Sequence, residues 1–172
     1  MRIRTAITTR PEGRTALDDL AAGIAVPDGA RPDFVALHFA EGLADAFGAQ
    51  AAARLPAGAL HGGTSCLGVM SDGGAAIAGG TGSGAFAIFD PAGSYGTGAA
   101  PLAPDPQAPD PQAAARAATL AALTAAGRPG ESPALVWLTA APGCEEAILE
   151  GVQQIVGRGT PIMGGSSADN AV

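Results

Sequence analysis

Two short stretches carry the residue types that could do chemistry: "ALHGGTSC" at 59–66 and "PIMGGSSA" at 161–168. Each runs from an apolar strand end into two glycines, two hydroxyl residues and a small residue. The glycine pairs, Gly62 with Gly63 and Gly164 with Gly165, bare backbone N–H groups and let a ligand approach the chain, while Thr64, Ser65, Ser166 and Ser167 add short donors. Such a turn suits a small polar ligand. His61 stands directly before the first turn, and Asp169 after the second is a candidate counter-charge for an amino group. The plainer reading stays open for both: a glycine pair at a strand end also simply turns the chain, and a loop aspartate makes an Asx-turn.

Covalent chemistry has a weaker footing. "GTSCLG" is not the G-x-S-x-G nucleophile elbow, because two residues separate Ser65 from Gly68. Cys66 beside His61 or His38 would give a thiolate pair only if the fold brings them together. A small buried thiol accounts for Cys66 and Cys144 without any reactivity. The spacing of His38 and His61 matches no zinc motif, and no acidic cluster suits calcium, although a single axial histidine for haem needs no local motif. His38 sits in an apolar strand and reads as a core or rim histidine, and Trp137 reads as core packing.

These turns need strands and helices to carry them, and the composition supplies both. The 172 residues are 47% hydrophobic, enough for a buried core, but aromatics make up only 4%, so packing rests on small side chains and close backbones. The net charge of −7 and the nine scattered arginines, with no lysine, oppose a nucleic-acid surface. No signal peptide opens the chain and no run reaches a membrane span, so a cytoplasmic setting with reduced thiols is expected.

"RIRTAIT" alternates as a strand, and "RTALDDLAAGIA" puts Leu17, Leu20, Ala21 and Ile24 on one helical face. "PDFVALHF" reads as a strand apolar on both faces, "GLADAFGAQAAARL" as a helix and "GALHGG" as a third strand, an order that suggests parallel pairing. "CLGVM-SDGG-AAIAGG" carries a hairpin signal and "GAFAIFD" a further strand, so the fold class is α/β with a mixed sheet, a hairpin-rich middle and helices packed on the sheet. Strands in parallel would place both turns at carboxyl ends, where open α/β sheets bind ligands. His38, Glu41, Thr139 and the start of the Cys144 helix would join them there. "APDPQAPDPQ" repeats a proline-rich pentapeptide, and a loop is expected over 101–112. Beyond it come the helix "AAARAATLAALTAAG", the strand "PALVWLTA" and the helix "GCEEAILEGVQQIVG". Glu145 and Glu146 occupy that last helix's first turn, with Ile148, Val152, Ile155 and Val156 on one face. "TPIMGG" closes as a strand. A domain that stops a few residues after a glycine turn reads as part of something longer.

"PDFVALHFAEG", "GALHGGTSCLGVMSDGG", "PAGSYGTG" and "GCEEAILEGVQQIVGRGTPIMGGSSADN" together resemble the N-terminal FIST domain, in order and spacing over nearly the whole chain. Gly62 to Ser65 match the family's first glycine-hydroxyl turn, and Gly164, Gly165, Ala168 and Asp169 match its second. The resemblance implies one sensory domain over 1–172 of a bacterial signal transduction protein, binding a small metabolite such as an amino acid and usually followed by a C-terminal FIST domain. It also implies an alternative: haem-based sensing of nitric oxide through a histidine kinase, with His61 or His38 as the axial ligand. An enzyme using Ser65 or Cys66 as nucleophile is the third reading. The proline-rich repeat and the histidine of "HGGTSC" depart from the family pattern.

Overall fold

A computed structural model describes residues 1–65, 68–71, 74–77, 82–102 and 110–167, which fall into two compact units, Met1–Gly93 and Ser94–Ser167. The expected mixed sheet and packed helices are present, and the fold is α/β.

The first unit holds β1 (Arg2–Thr8), α1 (Gly13–Ile24), β2 (Phe34–Phe39), a 3-10 turn (Glu41–Leu43), α2 (Ala44–Arg54), β3 (Ala59–Thr64), the hairpin β4 (Gly68–Ser71) with β5 (Gly74–Ile77), and β6 (Ser83–Phe89). Its main sheet runs β1-β6-β2-β3. β2 and β3 are parallel, whereas β6 enters antiparallel between β1 and β2. The strand-helix-strand order around α1 therefore does not make β1 and β2 direct neighbours. β2 is apolar on both faces and belongs at the sheet's centre, where it needs a partner on each edge; β6 supplies the second.

Side chains alternate across the sheet. Val35 and Leu37 of β2 and Ala85, Ala87 and Phe89 of β6 enter one core with Leu17, Leu20 and Ile24 of α1 and Phe47 and Ala51 of α2, and Phe39 packs against it. The apolar stripe read from α1 is thus the stripe it buries. Phe34, Ala36 and His38 take the opposite face of β2. There a Cβ on Gly84, the cross-strand partner of His38, would lie 3.1 Å from Val69 Cγ2, so β4 passes over that part of the face.

The second unit holds α3 (Pro111–Ala125), β7 (Val136–Ala140), α4 (Glu145–Val156) and β8 (Ile162–Ser166), with β7 parallel to β8. The loop expected over 101–112 ends earlier than read. Asp110 caps α3 by accepting the Gln112 N–H at 2.9 Å, and Pro111 stands in the first turn, where its missing N–H costs nothing. Residues 103–109 of the repeat lie outside the described residues. Leu123, Ile148, Val152 and Val156 form the core, with Val136, Leu138, Ile155 and Ile162 packed on it. α3 and α4 approach closely at Gly151, where a Cβ would come 2.8 Å from that of Ala115. Trp137 alternates away from this core and is only partly buried. Among the described residues, no helix is long and apolar enough to cross a membrane.

Candidate functional site

Each glycine-hydroxyl turn ends the second strand of a parallel pair, at the carboxyl end of its own unit's strands. In the first unit Leu37 pairs with Gly62, His38 with Gly63 and Phe39 with Thr64. A Cβ on Gly62 would overlap the Leu37 carbonyl oxygen. Gly62 is therefore required by the approach of β3 to β2, which is a demand of the strands and not of a ligand. Ser65 closes the turn: its N–H donates to the Phe39 carbonyl at 2.8 Å and its hydroxyl to the Gly68 carbonyl at 2.5 Å. A nucleophilic serine must hand its proton to a base, and a backbone carbonyl is not one. Gly63 and Thr64, both partly buried, are the turn's remaining surface. Cys66 lies outside the described residues.

The two histidines share a face. His61 pairs across from Ala36 and His38 across from Gly63, so the imidazoles stand diagonally on the sheet side away from the helices. The His61 ring stacks on Phe34 with centroids 6.5 Å apart and planes 19° off parallel. Burial pushes the His38 pKa down, partly offset by a backbone hydrogen bond with Gly63. Burial does the same to His61, and nearby His38 lowers it further. Both rings are neutral near pH 7.

The second unit repeats the device. Leu138 pairs with Gly164 and Thr139 with Gly165, and the Ser167 N–H donates to the Ala140 carbonyl at 2.6 Å. Gly164 has φ +128°, and a Cβ there would overlap the Leu138 carbonyl oxygen, whereas Gly165 has open space around it. Gly164, Gly165 and Ser166 are exposed. Asp169 lies outside the described residues.

Beside this turn stands a carboxylate that the sequence reading assigned only to the helix dipole. Glu145 accepts the Gly143 N–H at 3.0 and 3.1 Å and the Ser166 hydroxyl at 2.7 Å. The Ser166 hydrogen bond, followed by the backbone N–H groups of Glu145 and Gly143, holds its pKa below the ordinary 4.5. The sequence signal was present, an acidic first turn at a strand's carboxyl end, but nothing in spacing paired it with Ser166. Cys144, the residue before α4, is a partly buried free thiol.

A depressed carboxyl pKa stabilises the fold above the ordinary pKa and loses that contribution as pH falls through the folded value. Ser166→Ala should therefore melt slightly below the wild type near neutral pH, with the gap closing below about pH 4. Thermal melts of both proteins across that range check this; a gap independent of pH would show that the hydroxyl stabilises something other than ionised Glu145.

Among the described residues, no group of three or more His, Cys, Asp or Glu side chains surrounds a common metal position. In comparison with known proteins, no curated protein matches the chain. The FIST N domain family matches residues 33–172, from the start of the β2 segment through both glycine-hydroxyl turns. With most of its length covered, the chain belongs to the FIST N domain family, a family of signal transduction sensors that generally bind ligands.

Proposed function

We propose that the chain senses a small polar metabolite carrying an amino group, such as an amino acid, in a cytoplasmic signal transduction protein with a histidine kinase or similar output. The observation that carries this reading is the exposed Gly164–Ser166 turn with Glu145 hydrogen-bonded to Ser166. Gly165 leaves room for a ligand against the backbone, Ser166 and Ser167 offer hydroxyls, and Glu145 offers the counter-charge for an ammonium group that the sequence also suggests for Asp169. In the first unit, Gly63 next to His61, and Thr64 at the end of β3, form the corresponding turn.

The test is a thermal-shift scan against amino acids and related metabolites. A ligand bound only by the native state stabilises it by roughly 2.7 kcal/mol at a hundredfold excess over Kd, a readily measured shift. Gly165→Val should remain folded and lose the shift. An unchanged affinity would remove the turn from the site.

Haem is the second reading, favoured by the neutral imidazoles of His38 and His61 on one sheet face with Phe34 stacked beside them. The donor set fits: a neutral imidazole is the form that ligates iron, and the neighbouring face is apolar. Haem would supply an iron that binds nitric oxide. A Soret band on haemin addition, lost in His61→Ala or His38→Ala, supports this reading; no band excludes it.

A further inference from the structure

Among the described residues, β8 pairs with β7 and with no other strand, so its outer edge presents unladdered main-chain groups. The ladder shows which groups those are. The Val136 N–H donates to the Pro161 carbonyl at 2.9 Å, and the Ser167 N–H to the Ala140 carbonyl at 2.6 Å. Main-chain groups of successive strand residues point to opposite edges, so the odd-numbered residues of β8 face β7, and the N–H and C=O of Ile162, Gly164 and Ser166 face outward. Natural sheets blunt such an edge with charge, proline or a cover. β1, the outer strand of the first unit's sheet, carries Arg2 and Arg4. β8, "IMGGS", carries neither charge nor proline, and Met163 to Ser166 are exposed.

At the carboxyl end of this edge stands Glu145. Its carboxylate accepts the Ser166 hydroxyl at 2.7 Å, and that bond, with the backbone N–H groups of Glu145 and Gly143, keeps it ionised near neutral pH. The fold itself does not require an acid there. "PDFVALHFAEG" at 32–42 aligns without a gap on "PALVWLTAAPG" at 133–143, with proline, valine, leucine, alanine and glycine in common positions. Carried two residues further, this alignment sets Ala44, where α2 begins, against Glu145, where α4 begins.

An open edge takes an extended chain through its main chain, and a carboxylate at one end of the edge sets that chain's direction. A strand antiparallel to β8 starts beside Ser166, so its N-terminus meets Glu145. A parallel strand would end there and set a carboxylate against a carboxylate. We propose that the second unit binds the N-terminal segment of an extended peptide, added antiparallel to β8 with its free α-ammonium group against Glu145. With the amino-group reading as its basis, this narrows the ligand to a peptide N-terminus in place of a single amino acid. Main-chain bonds to Ile162, Gly164 and Ser166 supply affinity that depends little on peptide sequence, and the captured amine fixes the register. Gly164 and Gly165 have no side chains to hold the added strand off, and exposed Met163 offers a peptide side chain an apolar contact.

Calorimetric titrations of the protein with alanine, tetra-alanine, N-acetyl-tetra-alanine and tetra-alanine amide test this. Tetra-alanine should bind about tenfold or more tightly than alanine, N-acetylation or Glu145→Gln should weaken it by about tenfold or more, and C-terminal amidation should change little. Bound peptide should slow amide exchange at the outward Gly164 and Ser166 N–H groups and leave the inward Met163 and Gly165 unchanged. Equal affinity for alanine and tetra-alanine would overturn the peptide proposal and leave the amino-group reading standing. Acetylated and free peptide binding equally well would overturn both. No binding of tetra-alanine at millimolar concentration, or binding without slowed exchange at Gly164 and Ser166, would overturn the peptide proposal, and the metabolite scan then decides the amino-group reading on its own. A dimer in which those two N–H groups are already protected would overturn it in favour of a second copy of the chain on the edge.

Discussion

Gly164→Ala is expected to lower stability by about 3 kcal/mol or more, while Gly165→Ala, one position along, stays within about 0.5 kcal/mol of the wild type. The two glycines look alike in sequence and differ in what a side chain would meet. At Gly164 the backbone is left-handed at φ +128° and the new Cβ would overlap the Leu138 carbonyl oxygen, a rigid backbone atom that cannot step aside. At Gly165 the same atom would enter open space. Gly62→Ala should behave like Gly164→Ala through its overlap with the Leu37 carbonyl. Urea denaturation of the three variants checks this ordering. A Gly164→Ala protein as stable as the wild type would mean that β8 does not approach β7 as closely as the pairing requires.

That contrast separates the structural share of each turn from the share available to a ligand. The first glycine of each pair lets two parallel strands come together, and Ser65 and Ser167 tie the turn back to the preceding strand. Gly165 and Ser166 face outward. Valine at Gly165 therefore tests binding, and alanine at Gly164 tests folding; exchanging the two experiments would confuse a lost site with a lost strand.

Most of the elements were legible because their signals are local. The stripe of Leu17, Leu20 and Ile24 marked α1, alternation marked β1, the stretch "GAFAIFD" marked β6, and the Ser-Asp-Gly-Gly stretch marked the β4–β5 hairpin. The place of β6 between β1 and β2 was not legible, since strand order is decided by which edges remain uncovered and no local pattern records it. The helical start at Pro111 was hidden inside a proline-rich repeat, where the same residue that forbids a helix interior favours its first turn. Within the site, the echo of the two turns was visible as letters. The different duties of their glycines, the contact of Ser166 with Glu145 and the shared face of His38 and His61 depend on register, which only the paired strands reveal.

The turn of the first unit is held from a distance, and Phe47→Ala should expose that dependence with a loss of about 3–5 kcal/mol. Phe47 is 1% exposed on the buried face of α2 and packs against Phe39, ring centroids 4.7 Å apart and planes tilted by 38°. Phe39 is the residue opposite Thr64, and its carbonyl receives the Ser65 N–H. Truncation removes the ring's burial and leaves a cavity beneath the end of β2, in a core otherwise built largely from alanine and leucine that has few large side chains to fill it. Phe47→Leu keeps most of the volume and should cost less than about 1.5 kcal/mol. Urea denaturation gives the two losses, and amide exchange locates them: the Ser65 N–H should lose protection in Phe47→Ala to a greater degree than the Ser167 N–H, whose turn is built on β7 and α4. A loss under about 1 kcal/mol for the alanine variant would mean that Phe47 does not anchor the end of β2. Equal loss of protection at both serines would mean that the two units open as one.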